Sequence, residues 1–238
     1  MACILNIKPF EEYLFAELVD RGVILFPPVL SQLATRSKCF QARIFVDFMI
    51  PDTRVITGRK DLVLAMNEYS KKGIGPVITK LDRADCGLGI NRWTDCEELF
   101  NHVTFSTKPL WPLVLQPFVE DALDIRVVWM GEKYSEAYWR KNSCGFRNNL
   151  HFGGKSGPYE LNKKEMTFCK AVMERGKFPY AHIDLLKDPE GRIYLSEISL
   201  FGGTKGARID SFTCSKLRKQ VEEDFLNTLY CNERPTTI

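Results

Sequence analysis

The residues best suited to chemistry in this sequence are two carboxylates, Asp184 and Glu197, which flank a tight turn. The turn, at 188–191, reads Asp-Pro-Glu-Gly, an order typical of a type I turn between two strands. A regular hairpin closed by this turn would pair Asp184 with Leu195 and His182 with Glu197. In that register Asp184, Leu195 and Glu197 share one face, and the two acids are diagonal neighbours about 7–8 Å apart.

A divalent cation could bridge two carboxylates at such a spacing. Their neighbours in the sequence are largely apolar, and a carboxylate in apolar surroundings needs a cation or a hydrogen-bond donor. Ligation by oxygen atoms alone favours Mg²⁺, which usually brings the phosphates of a substrate with it. A surface hairpin that carries two solvated acids explains the same residues, and this stretch by itself leaves both interpretations open.

A second chemical feature is a lysine inside a strand, followed by glycines. The run P-V-I-T-K-L predicts a strand in which Lys80 lies between apolar neighbours, where its ammonium needs an anion or a path to solvent. The loop that follows contains Gly87 and Gly89, and such a loop can lie close to phosphates. A plain turn would also use these glycines, so the pattern is weak when taken alone.

A third feature is the run L-Q-P-F-V-E, which predicts a strand that breaks at Pro117. Proline has no N–H but keeps its carbonyl. In an extended segment the Pro117 carbonyl and the Val119 amide could point to the same side, where they would match the edge of an adenine. An ordinary edge strand that stops at a proline is the alternative.

Helices and strands alternate around these residues. We expect Lys38 to lie on the solvent side of a long helix, and residues 142–157 to form a polar connecting segment. Asp124, Arg126 and Arg140 lie on a predicted hairpin with its turn near 131–132. The remaining predicted elements are helices over 31–49, 59–71, 94–102, 163–175 and 211–230.

Composition excludes several classes of function. The chain has 33 Lys and Arg against 30 Asp and Glu, and a net charge of +3 gives no basis for a nucleic-acid or membrane partner. The eight cysteines form no C-x-x-C pair, which argues against a zinc site. There is no basic leader followed by an apolar run, and no long apolar segment. We therefore expect a cytoplasmic protein with reduced thiols.

The run F-R-N-N-L-H-F-G-G at 146–154 resembles the F-R-S-N-L-H-x-G-G signature of RimK-like ATP-grasp ligases. Further pieces occur in the family's order and with similar spacing, which makes the combined match specific although each piece is weak. The match covers roughly residues 28–230. The further pieces are Lys38, Lys80 with C-G-L-G-I, L-Q-P-F-V-E, D-I-R at 124–126, H-I-D-L-L and S-E-I-S.

This resemblance implies an α/β (α+β) fold of the ATP-grasp type, in which two α+β subdomains sandwich ATP. Mapped onto this chain, it predicts a short N-terminal lobe at 1–45, a small subdomain with a mobile glycine loop at 46–115, and a large subdomain with the metal and substrate site at 116–238. From the resemblance we expect this N-terminal lobe to be truncated relative to that of the family. We therefore expect a homo-oligomer or a partner protein to complete the substrate site.

The resemblance also implies roles for individual residues. Arg126, Arg140 and Arg147 would be catalytic, orienting a carboxylate and stabilising an oxyanion. Asp184, Glu197 and Ser199 would hold Mg²⁺ as two ions, with Mn²⁺ as a substitute, although Ser199 replaces the asparagine of the family. The implied ATP-binding positions are Lys38, Lys80, Gly87, Gly89, Gln116, Pro117, Phe118, Val119, Asp124 and Arg147.

The activity that the resemblance implies is ATP-dependent ligation of a carboxylate to an amine. An amide or peptide bond would form through an acyl phosphate, with release of ADP and phosphate, and the substrate would be an amino acid or a peptide. Two alternatives stay open. One is a degenerate nucleotide-binding module that serves as a partner subunit, supported by Ser199 and by Ala84 and Asp85 in the glycine loop. The other is a phosphotransferase on the same scaffold.

Overall fold

Two antiparallel sheets form the framework of the molecule. The computed structural model describes residues 3–84, 89–106, 110–142 and 154–232. The helices are α1 (Tyr13–Asp20), α2 (Val29–Arg36), α3 (Lys38–Ile44), α4 (Arg59–Lys71), α5 (Cys96–Phe105), α6 (Lys163–Gly176) and α7 (Ser211–Asn232), with a 3₁₀ turn at Val46–Phe48. The strands are β1 (Arg54–Ile56), β2 (Val77–Leu81), β3 (Ile90–Trp93), β4 (Leu113–Pro117), β5 (Leu123–Met130), β6 (Tyr134–Lys141), β7 (Lys155–Tyr159), β8 (Tyr180–Lys187) and β9 (Ile193–Ser199).

The smaller sheet has the strand order β1-β4-β2-β3, and the larger has the order β7-β6-β5-β8-β9. Every pairing within both sheets is antiparallel. Such sheets can bury one face and leave the other free for polar groups. In the described part of the chain, no helix has the length and apolar character needed to cross a membrane.

Each sheet buries one face against helices. The core of the smaller sheet contains Leu62 and Tyr69 of α4 and Leu99 of α5, which pack on Ile56 and Leu115. The core of the larger sheet is built on β5, β8 and β9 and is closed by residues of α2, α3, α6 and α7; it includes Ala34, Ala42, Ile125, Val172, Ile183, Leu185, Ile198 and Cys214. The predicted mixture of helices and sheets is confirmed.

The predicted single helix over 31–49 is wrong, because the helix is interrupted at Ser37. This residue is extended, with φ −136° and ψ 116°, and its side chain accepts a hydrogen bond from the Phe40 amide at 3.0 Å. Serine favours this N-cap role, so a second helix begins at Lys38. Asp82, at the end of β2, accepts from the Ser37 hydroxyl at 2.8 Å and from the Cys39 amide at 3.1 Å. The start of α3 is thereby held against the loop that follows β2.

The segment predicted to be a polar connection contains a strand. Lys155–Tyr159 forms β7, which pairs with β6 at the edge of the larger sheet. The sequence K-S-G-P-Y gives little indication of a strand, since glycine and proline are depleted there. Pro158 is tolerated because an edge strand needs hydrogen bonds on only one side.

Candidate active site

The β8–β9 hairpin departs from the regular register. Leu185 pairs with Leu195, but one step further Asp184 pairs with Glu197, so Ser196 is an extra residue that forms a bulge. The predicted pairing of Asp184 with Leu195 is therefore wrong, and so is that of His182 with Glu197. Because of the bulge, Leu195 and Glu197 point to opposite faces. Leu195 belongs to the core, while Glu197 lies directly beside Asp184 on the other face.

This other face of the larger sheet collects the charged residues of four strands. Asp184 is the register partner of Arg126, and the neighbouring row contains His182 opposite Ser199. Cross-strand neighbours on one face lie close enough to interact directly. One row across the sheet consists, from β6 through β5 and β8 to β9, of the neutral Tyr138 and the charged Arg126, Asp184 and Glu197.

Two arginines hold the carboxylates of β5 and β8. Arg126 forms an ion pair with Asp184. Arg140 contacts both oxygens of Asp124, with Nη2 2.9 Å from Oδ1 and 3.0 Å from Oδ2, and lies 3.4 Å from Asp184 Oδ2. Burial by itself would raise the pKa of Asp184, but the charges of Arg126 and then Arg140 hold that pKa below its usual value. Asp184 is thus an ionised carboxylate that is largely, though not fully, buried.

Lys38 is buried rather than solvated, which corrects the prediction for this residue. Its side chain is about nine-tenths buried, and Nζ lies 2.7 Å from the Ala84 carbonyl and 3.1 Å from Glu197 Oε1. The break at Ser37 places Lys38 at the start of α3, from which its side chain reaches β9. A single contact network therefore joins α3, the first residue of the glycine loop, and one of the two carboxylates.

Lys80 reaches from the smaller sheet to the larger one. Its Nζ lies 3.1 Å from both the carbonyl and the hydroxyl oxygen of Ser196, the bulged residue of β9. Burial lowers the pKa of Lys80 to about 8, although the nearby charge of Glu197 acts in the opposite direction. A buried ammonium held by neutral oxygens is well suited to receive an anionic group.

The run predicted to contact adenine lies at the end of β4. Gln116 is buried on this strand, and the Phe118 amide donates to the Pro76 carbonyl at 2.8 Å. The carbonyl and the N–H of a trans peptide point in opposite directions, so the Pro117 carbonyl points away from β2. Val119 follows directly, and the guanidinium of Arg92 lies 4.2 Å from the centre of the Phe118 ring.

Part of the predicted site lies outside the described residues. Gly87 and Arg147 belong to this part, as does the signature run from 146 to 153. Gly89 is described, with φ +78°, and its carbonyl accepts from the Leu81 amide at 2.9 Å. A left-handed conformation favours glycine at this position. Gly89 therefore lies beside the end of β2, next to Leu81, which follows Lys80 in the chain.

The residues present fit a hard divalent cation. Asp184 and Glu197 are adjacent, share a face, and each already contacts a cationic side chain, so this is a place where positive charge is stabilised. Ser199 lies on the same face two residues beyond Glu197. Within the described ranges, no three His, Cys, Asp or Glu side chains converge as a metal cluster. An ion here would need further oxygen ligands, and phosphates commonly supply these to Mg²⁺.

Sequence reasoning missed two buried polar residues that support the site. Gln41 of α3 bonds to the backbone of Ile198, and Glu136 of β6 accepts from the Arg208 amide at 2.9 Å. Neither belongs to a recognisable pattern; the only signal in the sequence is that Gln41 follows Lys38 by three residues on one helix. His182 is buried on β8, and its Nδ1 lacks a hydrogen-bond partner among the described residues.

Comparison with known proteins identifies the family. The model of the RimK-like ATP-grasp domain matches residues 34–213. The alpha-aminoadipate–LysW ligase LysX of Saccharolobus solfataricus is 23% identical, covering 82% of this chain and 74% of its own. A probable alpha-L-glutamate ligase of Aliivibrio fischeri is 24% identical, covering 87% and 78% respectively.

Solved structures show the same fold. D-alanine–D-alanine ligase of Bacillus anthracis superposes with a TM-score of 0.66 at 16% identity, covering 88% of this chain and 75% of its own. An ATP-grasp ligase of Chryseobacterium gregarium, solved with ADP and a leader and core peptide, gives 0.58 at 17% identity, covering 94% and 68%. The expected ATP-grasp fold is thereby confirmed. The chain belongs to the RimK-like ATP-grasp family of ATP-dependent carboxylate–amine ligases.

Proposed function

We propose that this protein joins the carboxylate of one substrate to the amine of another, using ATP and releasing ADP and phosphate. The observation that carries the proposal is the convergence of Lys38 and Lys80 on the strand that bears Glu197. Two buried ammonium groups beside adjacent carboxylates suit a polyphosphate substrate. Both curated relatives are named as ligases of an amino acid, which supports an amino acid or a peptide as the substrate.

In this proposal the nucleotide lies between the two sheets. Lys38 and Lys80 contact its phosphates, together with the glycine loop that includes Gly87 and Gly89. The backbone of 116–119 holds adenine, because the Pro117 carbonyl is turned away from β2 and can accept from the adenine amine. Asp124 and Arg147 complete the nucleotide site. The division into 1–45, 46–115 and 116–238 is part of the same proposal, and its second boundary lies within β4, the last strand of the smaller sheet in the chain.

Asp184, Glu197 and Ser199 would hold Mg²⁺, as two ions for which Mn²⁺ can substitute. When bound, the metal supplies positive charge to the phosphoryl oxygens as negative charge builds there. Lys38 pairs with Glu197 and Arg126 with Asp184, so cationic side chains already lie beside both proposed metal ligands.

The reaction itself proceeds in two displacements. An oxygen of the carboxylate substrate attacks the γ-phosphorus, the bond to the bridging oxygen breaks, and ADP leaves with an acyl phosphate remaining. The amine nitrogen then attacks the acyl carbon, the carbon–oxygen bond to phosphate breaks, and the proton lost by the amine leaves on the departing phosphate. Arg126, Arg140 and Arg147 orient the carboxylate and stabilise the oxyanion, because their planar donor groups match such oxygens.

The proposal is tested by ADP release from MgATP in mixed pools of amino acids and small carboxylic acids, with mass spectrometry of the products. We expect ADP formation to require both an amine and a carboxylate, and the product to be their amide. Glu197→Ala should abolish turnover, whereas Glu190→Ala, in the exposed turn of the same hairpin, should leave it unchanged. Full activity of Glu197→Ala would overturn the metal assignment.

The products also distinguish the other two functions. A phosphorylated acceptor without amide would show a phosphotransferase. MgATP binding without ADP release in every pool would favour the nucleotide-binding module acting as a partner subunit. Either result would overturn ligation as the function of this protein.

A further inference from the structure

The strand that bears Glu197 and Ser199 is an edge strand whose outer side is held by side chains. β9 pairs with β8 on one side only. On the other side, the backbone groups of alternate residues are bound by side chains of β2, α3 and α2. Lys80 Nζ contacts the Ser196 carbonyl, Gln41 contacts Ile198, and the Leu200 amide donates to Thr35 Oγ1 at 3.0 Å. Three elements of the first half of the chain thus complete β9.

Gln41 makes the most complete of these contacts. Its Oε1 accepts from the Ile198 amide at 3.0 Å, and its Nε2 donates to the Ile198 carbonyl at 2.9 Å. The second Nε2 proton goes to the Ala34 carbonyl at 2.8 Å. The carboxamide therefore binds Ile198 as a neighbouring strand would, through one N–H and one carbonyl. The Gln41 residue is only 1% exposed, and all of these bonds are shielded from water.

Ile198 lies between Glu197 and Ser199, so holding its backbone fixes the direction of both neighbouring side chains. The bulge at Ser196 disrupts the ladder to β8 on the opposite edge. We propose that Gln41 is a positioning residue that sets the metal affinity of the site through the backbone of Ile198. This inference rests on the proposed function, since it requires Glu197 and Ser199 to be metal ligands.

The chain contains a matched control for this inference. Gln32 of α2 is also fully buried and also bonds only to backbone, with Oε1 2.9 Å from the Leu5 amide and Nε2 2.7 Å from the Pro27 carbonyl. These contacts lie near the N-terminus and involve neither sheet. Gln41→Met and Gln32→Met therefore remove the same chemistry from two places: Gln41 bonds to the backbone between the proposed metal ligands, whereas the Gln32 side chain bonds to Cys3, Leu5 and Pro27.

The experiment measures Mn²⁺ binding by electron paramagnetic resonance in the presence of a non-hydrolysable ATP analogue. We expect Gln41→Met to weaken Mn²⁺ binding about 10–100-fold, the usual effect of removing a group that orients a metal ligand. Gln32→Met should leave Mn²⁺ binding unchanged, even if it lowers thermal stability equally. Excess Mg²⁺ should restore the turnover rate of Gln41→Met, because the loss is one of affinity.

Thr35→Val provides a second, milder variant that loses one hydrogen bond to Leu200 and keeps its shape. Thr35→Val should also weaken Mn²⁺ binding, by less than Gln41→Met does. It tests the inference if the Gln41→Met variant does not fold. Equal Mn²⁺ binding by the wild type, Gln41→Met and Thr35→Val would overturn the inference alone. Absence of Mn²⁺ binding in the wild type would overturn the proposed metal site and the inference with it.

Discussion

Most of the charged side chains at this site lie opposite a partner of the other sign. A buried charge is costly unless it is paired, and Arg126 with Asp184, Arg140 with Asp124, and Lys38 with Glu197 each satisfy that requirement. Lys80 differs, because in the described part of the chain it forms no ion pair and bonds to the neutral oxygens of Ser196. Its charge is therefore the one that gains most from an incoming phosphate.

The pH dependence of ATP binding should report the protonation of Lys80. The groups facing Lys80 are Glu197, Lys38, Asp184 and Asp124, and burial still leaves its pKa at about 8. Below that pH the ammonium is charged before ATP arrives. Above it a proton must be taken up on binding, so ATP affinity should fall up to about tenfold per pH unit. Calorimetry across this range should show the fall in the wild type and a weak, flat profile in Lys80→Met.

Lys133 provides a control for the pH dependence of ATP binding. Lys133→Met removes a lysine that pairs with Asp224 on the surface, and should keep the profile of the wild type. A wild-type ATP affinity that stays constant through pH 8 to about 10 would show that Lys80 does not meet the phosphates.

At the scale of elements, the loop from β9 to α7 is held close to the proposed metal ligands. Ser199 Oγ accepts from the Phe201 amide at 3.1 Å, and buried Glu136 of β6 accepts from the Arg208 amide at 2.9 Å. Gly202 lies against the ring of His182, which is itself buried on β8. Both ends of the loop are therefore anchored to strands that carry site residues, and its middle packs on one of them.

A comparison of Gly202→Ala with Gly203→Ala should distinguish a steric clash against His182 from the mere addition of a methyl group to the loop. A methyl group at Gly202 would lie 2.5 Å from His182 Nδ1 and 2.7 Å from its Cβ, whereas one at Gly203 would meet nothing within 4 Å. Because His182 cannot retreat into the sheet, Gly202→Ala should displace the loop and Ser199. Turnover should fall about 100-fold in Gly202→Ala, as expected for a misplaced reacting group, and stay unchanged in Gly203→Ala. Equal turnover in the two variants would contradict this account.

At the scale of the whole molecule there are two main hydrophobic cores, one on each sheet, and Val114 of the smaller sheet contributes to the core of the larger one. Polar contacts connect them at the site, where Lys80 of the smaller sheet reaches Ser196 of the larger. A nucleotide bound between the sheets adds contacts to both and stabilises only the folded protein. Whether copies of the chain associate, and whether the protein is cytoplasmic, stay predictions from the sequence.

Leu99→Ala should show this linkage in urea denaturation. Leu99 is fully buried in the smaller core, so its truncation should lower the free energy of unfolding by about 2–5 kcal/mol. MgATP at about a hundred times its Kd should return about 2.7 kcal/mol to this variant and add the same to the wild type. MgATP should add much less to the free energy of unfolding of Glu197→Ala. An equal gain in Glu197→Ala would show that the nucleotide binds without the proposed metal ligands.

Much of the framework could be predicted because its signals are local. The helix over 59–71 and the hairpin with its turn near 131–132 follow from apolar spacing and turn residues, and the structure confirms both. β7 could not be predicted, because K-S-G-P-Y becomes a strand only where β6 offers an edge. Gly87 and Arg147 lie outside the described residues, so their proposed roles stay predictions.

The sequence by itself determined which charged groups are available and their order along the chain, because residue type and short spacing are local properties. From these came the family and the set of lysines, arginines and carboxylates. Only the tertiary structure decided which of them meet. The bulge at Ser196 placed Glu197 beside Asp184, and the break at Ser37 brought Lys38 to Glu197 and Gln41 to Ile198. These contacts join residues far apart in the chain, and packing of the two sheets and α3 selects them.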